Sequence, residues 1–498
     1  MSPTLRTPAS RLSYDVLVFG PQLAGAVTAA LLARRGYRVL MVAHGAAPTS
    51  YRDGAFLLPC GPTVLPPLKS MPVATAVLEE LGLATDVLRA LTPLTPPLQI
   101  LGERLRLDLP RETGPRAEEL ARELGAAGAG AAEAIERLLQ AEEADSPFFR
   151  LSPPLPAQGL LERWQLRRAL AGQGGVEAGA ALPNGDATLT RSLRELWHFG
   201  TFLWDEQPPS RASLRPLAQL LRGLSTYPRG LEGLAAEVRK RVTAAGGEVV
   251  EGDDEPPEIE ELRLEGGRIA AAKLEGSPHE YRASLFVAAT GAADLRDLLP
   301  ASAGESKLAA LLGGVKARSS LLTLNLVVGP NGLPAGLGPA ALWLPARTDA
   351  PSIFVQVSPA QAASGSAPAG THVVQLSRQV PAALFHQGEG HVKAVLQEMR
   401  AGASTFLPFV DRHVVFESSP HLQEESGLAA RLRLHPLVEV GLPRQLGVTG
   451  LPFRPPCKNL VLASRDVLPG LGLEGELLAG TRAAQLVQKA LPKKELLR

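Results

Sequence analysis

Cysteine is nearly absent: Cys60 and Cys457 are the only two in 498 residues. Two thiols so far apart argue against a disulfide framework or a cysteine-rich metal site and fit a reducing cytoplasm; a pair brought together by the fold stays open. Aromatic residues make up only 4% of the chain. An excess of one charge is missing too, with 51 basic against 50 acidic residues and a formal net charge of +1. Bulk charge therefore selects no partner, and no nucleic acid is expected. No run of about eighteen apolar residues occurs, so no transmembrane segment is expected. Peripheral membrane contact through a surface helix stays open. Residues 1–13 lack the apolar stretch of a secretory signal and read as a loose tail, as do residues 491–498. There is no His-Glu-x-x-His helix, no Cys-x-x-Cys and no Gly-x-Ser-x-Gly elbow, and the histidines show no metal-ligand spacing. Hydrolase and metalloenzyme readings drop out, and no metal site is expected.

What is present begins at Tyr14. Tyr14 to Phe19 are mostly β-branched and apolar types, with Asp15 the exception, Gly20 to Gly25 form a tight turn, and Ala26 to Arg35 are strong helix formers. Gly36 ends that helix, and Tyr37 to Val42 make a second apolar strand. This is a βαβ unit of the size a right-handed crossover between parallel strands requires. A helix around Pro72–Leu83, one or two over 116–145 broken at Gly125–Gly130, one over 156–173 and at least two in 187–225 follow. A helix at Leu231–Ala245 then leads to strands at Glu258–Leu264, Arg268–Leu274 and Arg282–Ala289. The acidic cluster Glu251, Asp253, Asp254, Glu255, Glu258, Glu260 and Glu261 reads as a solvated edge hairpin, since it lacks the carboxylate spacing of a Ca²⁺ loop. Strands at 319–328, 352–358, 372–377 and 413–418, with a helix at His391–Thr405, suggest a second sheet.

A dinucleotide fold aims helix N-terminal amides at a pyrophosphate, uses glycines for close approach, and holds a ribose with an acidic residue at the end of the second strand. Here Gly20 and Gly25 stand at the first and third glycine positions, but Gln22 occupies the second. Ala43, followed by His44, stands where the carboxylate is expected. The Gly20-to-Gly25 spacing also suits a P-loop, but Ala26 and Val27 follow in place of Lys and Ser or Thr, which excludes that motif.

Three further stretches carry a resemblance. CKNLVLASRDVLPGLGLEGELLAGTRAAQLVQKAL resembles the closing segment of the phytoene desaturase and amine oxidase (protoporphyrinogen oxidase-like) family of flavoproteins. TYPRGLEGLAAEVRKRVTAAGGEVVEG and LFVAATGAADLRDLLP are similar to its internal helix–strand connection and to the strand leaving its nucleotide domain. The resemblance implies an α/β fold: an FAD-type Rossmann nucleotide domain (residues 14–70, 226–300 and 440–490) interleaved with an α+β substrate domain (71–225 and 301–439). It implies FAD as cofactor, with Pro469, Gly470, Gly472, Gly475 and Gly480 shaping a turn and helix start, and Gly475 and Glu476 amides near the flavin ring. Gly20, Gln22, Gly25, Ala43, His44, Ile259 and Arg465 complete the implied cofactor contacts. The family's Gly–Asp pair is replaced by Ser464–Arg465, with Asp466 one place late.

Gln22, Ala43 and Arg465 all fall where the family touches the FAD tail. Either FAD is held differently, with Arg465 pairing to phosphate, or the site no longer holds FAD. The implied reaction is two-electron, hydride oxidation of a largely apolar small molecule, chemistry the flavin performs, so no catalytic acid or base is assigned. Candidate substrate-facing residues are Trp197, His198, Phe199 and Trp204, although helix packing explains the same aromatic cluster. The alternative is a silent relative of the same fold that binds a protein partner or an apolar ligand.

Overall fold

The computed structural model describes residues 11–46, 48–171, 175–176, 179, 181–183, 186–251, 258–304, 306–423 and 432–493. Most of both expected tails and the acidic residues Asp253, Asp254 and Glu255 lie outside the described residues.

A parallel sheet forms the centre of the nucleotide-type fold. Its strands lie in the order Glu248–Val250, Val39–Val42, Ser13–Phe19, Glu280–Ala288, Leu460–Leu462. Glu280–Ala288 also pairs antiparallel with Arg268–Leu274, and that strand pairs with Ile259–Glu265, making a meander on the same sheet. Strands buried on both faces read as continuous apolar runs; Val39–Val42 is buried throughout.

The helix Leu23–Arg34 is buried from Leu23 to Ala33, as expected for a helix apolar all round. It packs on Gly230–Ala244 and on the closing helix Gly472–Ala490. Gly480 permits that last contact, because a Cβ there would lie 2.6 Å from the Ala24 carbonyl oxygen. Thr28 Oγ1 donates to the Gly480 carbonyl at 3.0 Å across the same contact.

A second sheet runs Val414–Ser418, Val315–Val328, His372–Pro381, Ile353–Pro359, Ala340–Trp343, Gln99–Leu101, Arg106–Asp108, with Leu434–Val440 also on Val315–Val328. Alternation along Val315–Val328 divides its faces. Leu322, Leu324, Leu326 and Val328 share a core with Val392, Leu396, Met399 and Ala403 of the helix Glu389–Phe406. Leu321 faces the opposite way, into the cavity described below.

The helices Thr113–Leu124, Gly128–Arg150, Ala187–Gly200 and Arg215–Leu221 build a helical block around Trp197 and Leu120. A buried ion-pair cluster stitches this block to the closing helix. Arg215, 1% exposed, pairs with Glu474 at 2.9 Å and with Glu142 at 3.0 Å, and its guanidinium lies 4.4 Å from the Phe149 ring centre. Such a charge set holds only when every member is paired, since each has left water.

Candidate functional site

The site grows from the carboxyl ends of the parallel strands, where open α/β sheets bind ligands. Gly20, at φ +119°, directs its amide to the Val42 carbonyl at 3.0 Å. A Cβ on Gly20 would fall 2.2 Å from the Ala289 carbonyl oxygen, and one on Gly25 would fall 2.3 Å from the Ala289 Cβ. Both glycines are therefore required by the approach of the first turn to residue 289. Gln22 is the N-cap of Leu23–Arg34 but its side chain makes no bond to that helix. Its Oε1 accepts instead from the Arg465 backbone N–H at 2.8 Å. The first amides of the helix are left without a side-chain cap, the condition under which a helix end receives an anion.

At the end of the second strand the Ala43 amide donates to the Val250 carbonyl at 3.2 Å, which fixes His44 beside the strand Ile259–Glu265. His44 Nδ1 lies 2.8 Å from Glu258 Oε2 and 3.0 Å from the Ile259 amide nitrogen. One ring nitrogen cannot both donate and accept. A protonated Nδ1 serves the carboxylate and a bare one serves the amide, so the two contacts mark alternative proton positions. Glu258, from a different element, thus places a carboxylate beside His44 on the cavity wall.

The C-terminal loop is locked to its own chain: the amides of Gly450 and Leu451 donate to the carbonyls of Val467 and Asp466 at 3.0 and 2.7 Å. A Cβ would meet Val448 Cα at 2.7 Å from Gly470, the Gly200 carbonyl at 2.0 Å from Gly472, and the Leu468 carbonyl at 2.4 Å from Gly475. Gly472 also has φ +54°. Glu474 and Glu476 are fully buried near the start of the closing helix, where the macrodipole favours negative charge. Glu474 is held by Arg215 and Gln219. Glu476 has no hydrogen bond to a described residue, and Arg465 Nη2 lies 3.5 Å from its Oε1. The Arg465 guanidinium also sits 4.7 Å from the Phe202 ring centre, and its Nε has no hydrogen-bond partner among the described residues.

These elements enclose a cavity of ≈ 680 Å³, within the range of small-molecule and cofactor sites. His44, Glu258 and Ile259 form one part of its wall; Pro21, Gln22, Thr290, Gly291, Arg465 and Asp466 form another. Phe199, Phe202, Pro216, Leu220, Leu473 and His435 supply a largely apolar third part. Asp466 accepts from the Ala292 amide at 2.7 Å, yet burial pushes its carboxyl up to about 6. Asp294 stands beside it and receives a bond from Thr290 Oγ1 at 3.3 Å. His435 sits at φ +41°, rare for a side chain of its size, with Nε2 3.1 Å from the His198 carbonyl oxygen. Burial drives its pKa down to about 4, so it is neutral near pH 7.

The structure gathers Gln22, His44, Ile259 and Arg465 on the cavity wall. Gly20, Gly25, Ala43, Gly470, Gly472, Gly475 and Glu476 stand behind it, filled against protein atoms, and Leu473 is the member of the closing turn that reaches the wall. Of the four aromatic candidates, Phe199 lines the cavity and stacks on Phe354 at 4.1 Å. Trp197 is fully buried in the helical block, its Nε1 donating to Ser213 at 2.7 Å. His198 lies between Trp197 and Trp204, 2.9 Å from the Asp205 carbonyl, with burial lowering its pKa. These three pack away from the wall. Thr290 and Asp294 lie in the stretch LFVAATGAADLRDLLP but are not singled out there as site residues, His435 carries no recognisable motif, and Glu258 is visible only as one acid in a run. No His, Cys, Asp and Glu grouping suited to a metal occurs among the described residues.

No protein-family model and no curated protein matches the sequence. Solved structures do match along nearly the whole length. An oxidoreductase from Methanosarcina mazei superposes with TM-score 0.57 at 15% identity, covering 94% of this chain and 99% of that one. A putrescine oxidase variant made to redesign cofactor binding gives 0.54 at 13% identity, over 96% and 99% of the two chains. Cyclohexylamine oxidase from Brevibacterium oxydans gives 0.53 at 13%, over 96% and 100%. The chain shares the fold of these oxidoreductases, built on a Rossmann-type parallel sheet.

Proposed function

We propose that the chain is an FAD-dependent oxidoreductase that removes two electrons, as hydride, from a largely apolar small molecule, with an altered grip on the cofactor. The observation that carries this reading is the Gln22–Arg465 hydrogen bond, which joins the βαβ turn to the C-terminal loop on the wall of one ligand-sized cavity. The residues present suit FAD. The uncapped start of Leu23–Arg34 and the Arg465 guanidinium would hold the pyrophosphate. Glu258 would accept from ribose hydroxyls in place of the acid absent at Ala43. Bound FAD supplies the hydride acceptor. Phe199, Phe202, Leu220 and Leu473 exclude water and orient an apolar substrate. His435, uncharged in its buried setting, presents no cation to repel an amine or stabilise a stray anion there. The two buried, free cysteines accord with a cytoplasmic setting.

A second reading draws on Asp466 and Asp294, carboxylates on the wall that a pyrophosphate would face. It makes the chain a scaffold of the same fold that binds a protein or an apolar ligand without FAD. The visible spectrum separates the two. Protein incubated with FAD and then gel-filtered retains flavin bands and melts at a higher temperature if it is the enzyme. A colourless filtrate with an unchanged melting temperature sinks the first reading.

A further inference from the structure

The helix Gly159–Ala171 turns little of itself inward: Leu166 is its buried residue, with Ala169 and Leu170 half-buried. Its outward side is unusual for a soluble surface. Leu160 is 86% exposed, Leu161 67% and Trp164 56%, and Leu151 nearby in sequence is 81% exposed. These are four of the seven large apolar side chains that stand exposed among the described residues. Arg163, Arg167 and Arg168 are exposed on the same helix and make no ion pair with a described residue. Arg168 lies 5.6 Å from the Trp164 ring centre. The helix's one acid, Glu162, is turned inward to the Gln158 amide, Arg454 and Arg482.

We propose that Gly159–Ala171 is a docking helix for an anionic lipid surface. Leucine and tryptophan intermixed with arginine on one exposed side match the headgroup boundary, where apolar bodies sink while guanidinium groups meet phosphate. Each arginine near an anionic leaflet adds electrostatic attraction that salt screens. The occupant must be anionic, because the helix presents arginines that pair with no acid among the described residues, on a chain whose net charge is only +1. A second copy placed face to face would oppose arginine to arginine. No helix of the described chain is long and apolar enough to cross a membrane, so the contact is peripheral.

Co-sedimentation of the full chain with phosphatidylglycerol/phosphatidylcholine vesicles tests this. Binding is expected to mixed vesicles, at least tenfold weaker to phosphatidylcholine alone, and weakened by added salt. The variant Leu160→Ser/Leu161→Ser/Trp164→Ser, altered only at exposed positions, loses at least tenfold, and Arg163→Gln/Arg167→Gln/Arg168→Gln loses the preference for the anionic lipid. Trp164 is the most exposed tryptophan, so wild-type emission shifts to the blue on binding and that of Trp164→Phe does not. Absent binding to anionic vesicles, or equal binding by the serine variant, overturns the proposal. So does self-association, or binding to an acidic protein, that depends on the same side chains while vesicles are ignored.

Discussion

Gln22 Oε1 accepts the backbone N–H of Arg465 at 2.8 Å, a bond that spans 443 positions of the chain. It explains how a side chain can stand at the second glycine position of a dinucleotide turn: the amide group is committed sideways to the opposite loop. Gln22→Gly is therefore expected to lower stability by about 1 kcal/mol without tightening FAD binding. Chemical denaturation and an FAD titration of the variant check both. A large gain in affinity in Gln22→Gly would mean that the glutamine obstructs the site.

The C-terminal glycines answer to packing. With φ +54° and the Gly200 carbonyl 2.0 Å from any Cβ, Gly472→Ala combines backbone strain with overpacking and should cost about 2–5 kcal/mol. The loss appears in the urea midpoint of the protein without FAD. An alanine variant as stable as wild type would show that the turn relaxes.

Asp466 sets a pH dependence. Its carboxyl, flanked by Arg465, Asp294 and Glu476, is raised by burial from 3.8 to about 6. Raised folded pKa means that stability contributed by the protonated form is present below about pH 4 and lost as pH rises through about 6, on the order of 3 kcal/mol. Asp466→Asn keeps an acceptor for the Ala292 amide and should remove that slope, gaining stability relative to wild type at pH 7. Wild type is also expected to bind FAD more tightly at pH 5 than at pH 8, and the asparagine variant to lose the difference. Parallel pH profiles of the two proteins would refute this.

Under the proposed function, Glu258 stands in for the missing acid of the second strand. Glu258→Gln should weaken FAD binding about tenfold or more, the worth of a charged hydrogen bond, with little change in the melting temperature of the cofactor-free protein. Unchanged affinity would remove Glu258 from the site.

The sequence revealed the fold well because its evidence is local. The run Tyr14–Phe19, apolar but for Asp15, and the strand–turn–helix near 460–490 are readable from neighbouring residues, and the parallel sheet follows. Short strands escaped: Gln99–Leu101, Ala340–Trp343 and Leu434–Val440 exist because the second sheet pairs with them, not because of their own pattern. The site was half legible. Gln22, His44 and Arg465 stood out as departures from a motif, whereas Asp294 and His435 reach the wall through contacts distant in sequence. Gly470, Gly472 and Gly475 are ambiguous as a signal, because close approach to Val448 and to the carbonyls of Gly200 and Leu468 demands glycine as a cofactor would. Trp197 and His198 attracted notice by composition, and packing of the helical block accounts for both.

The central claim is tested most directly by a crystal structure of the chain grown in saturating FAD. The account predicts continuous cofactor density in the ≈ 680 Å³ cavity, touching Glu258, the start of Leu23–Arg34 and Arg465. A cavity left empty, or FAD bound elsewhere on the surface, contradicts it.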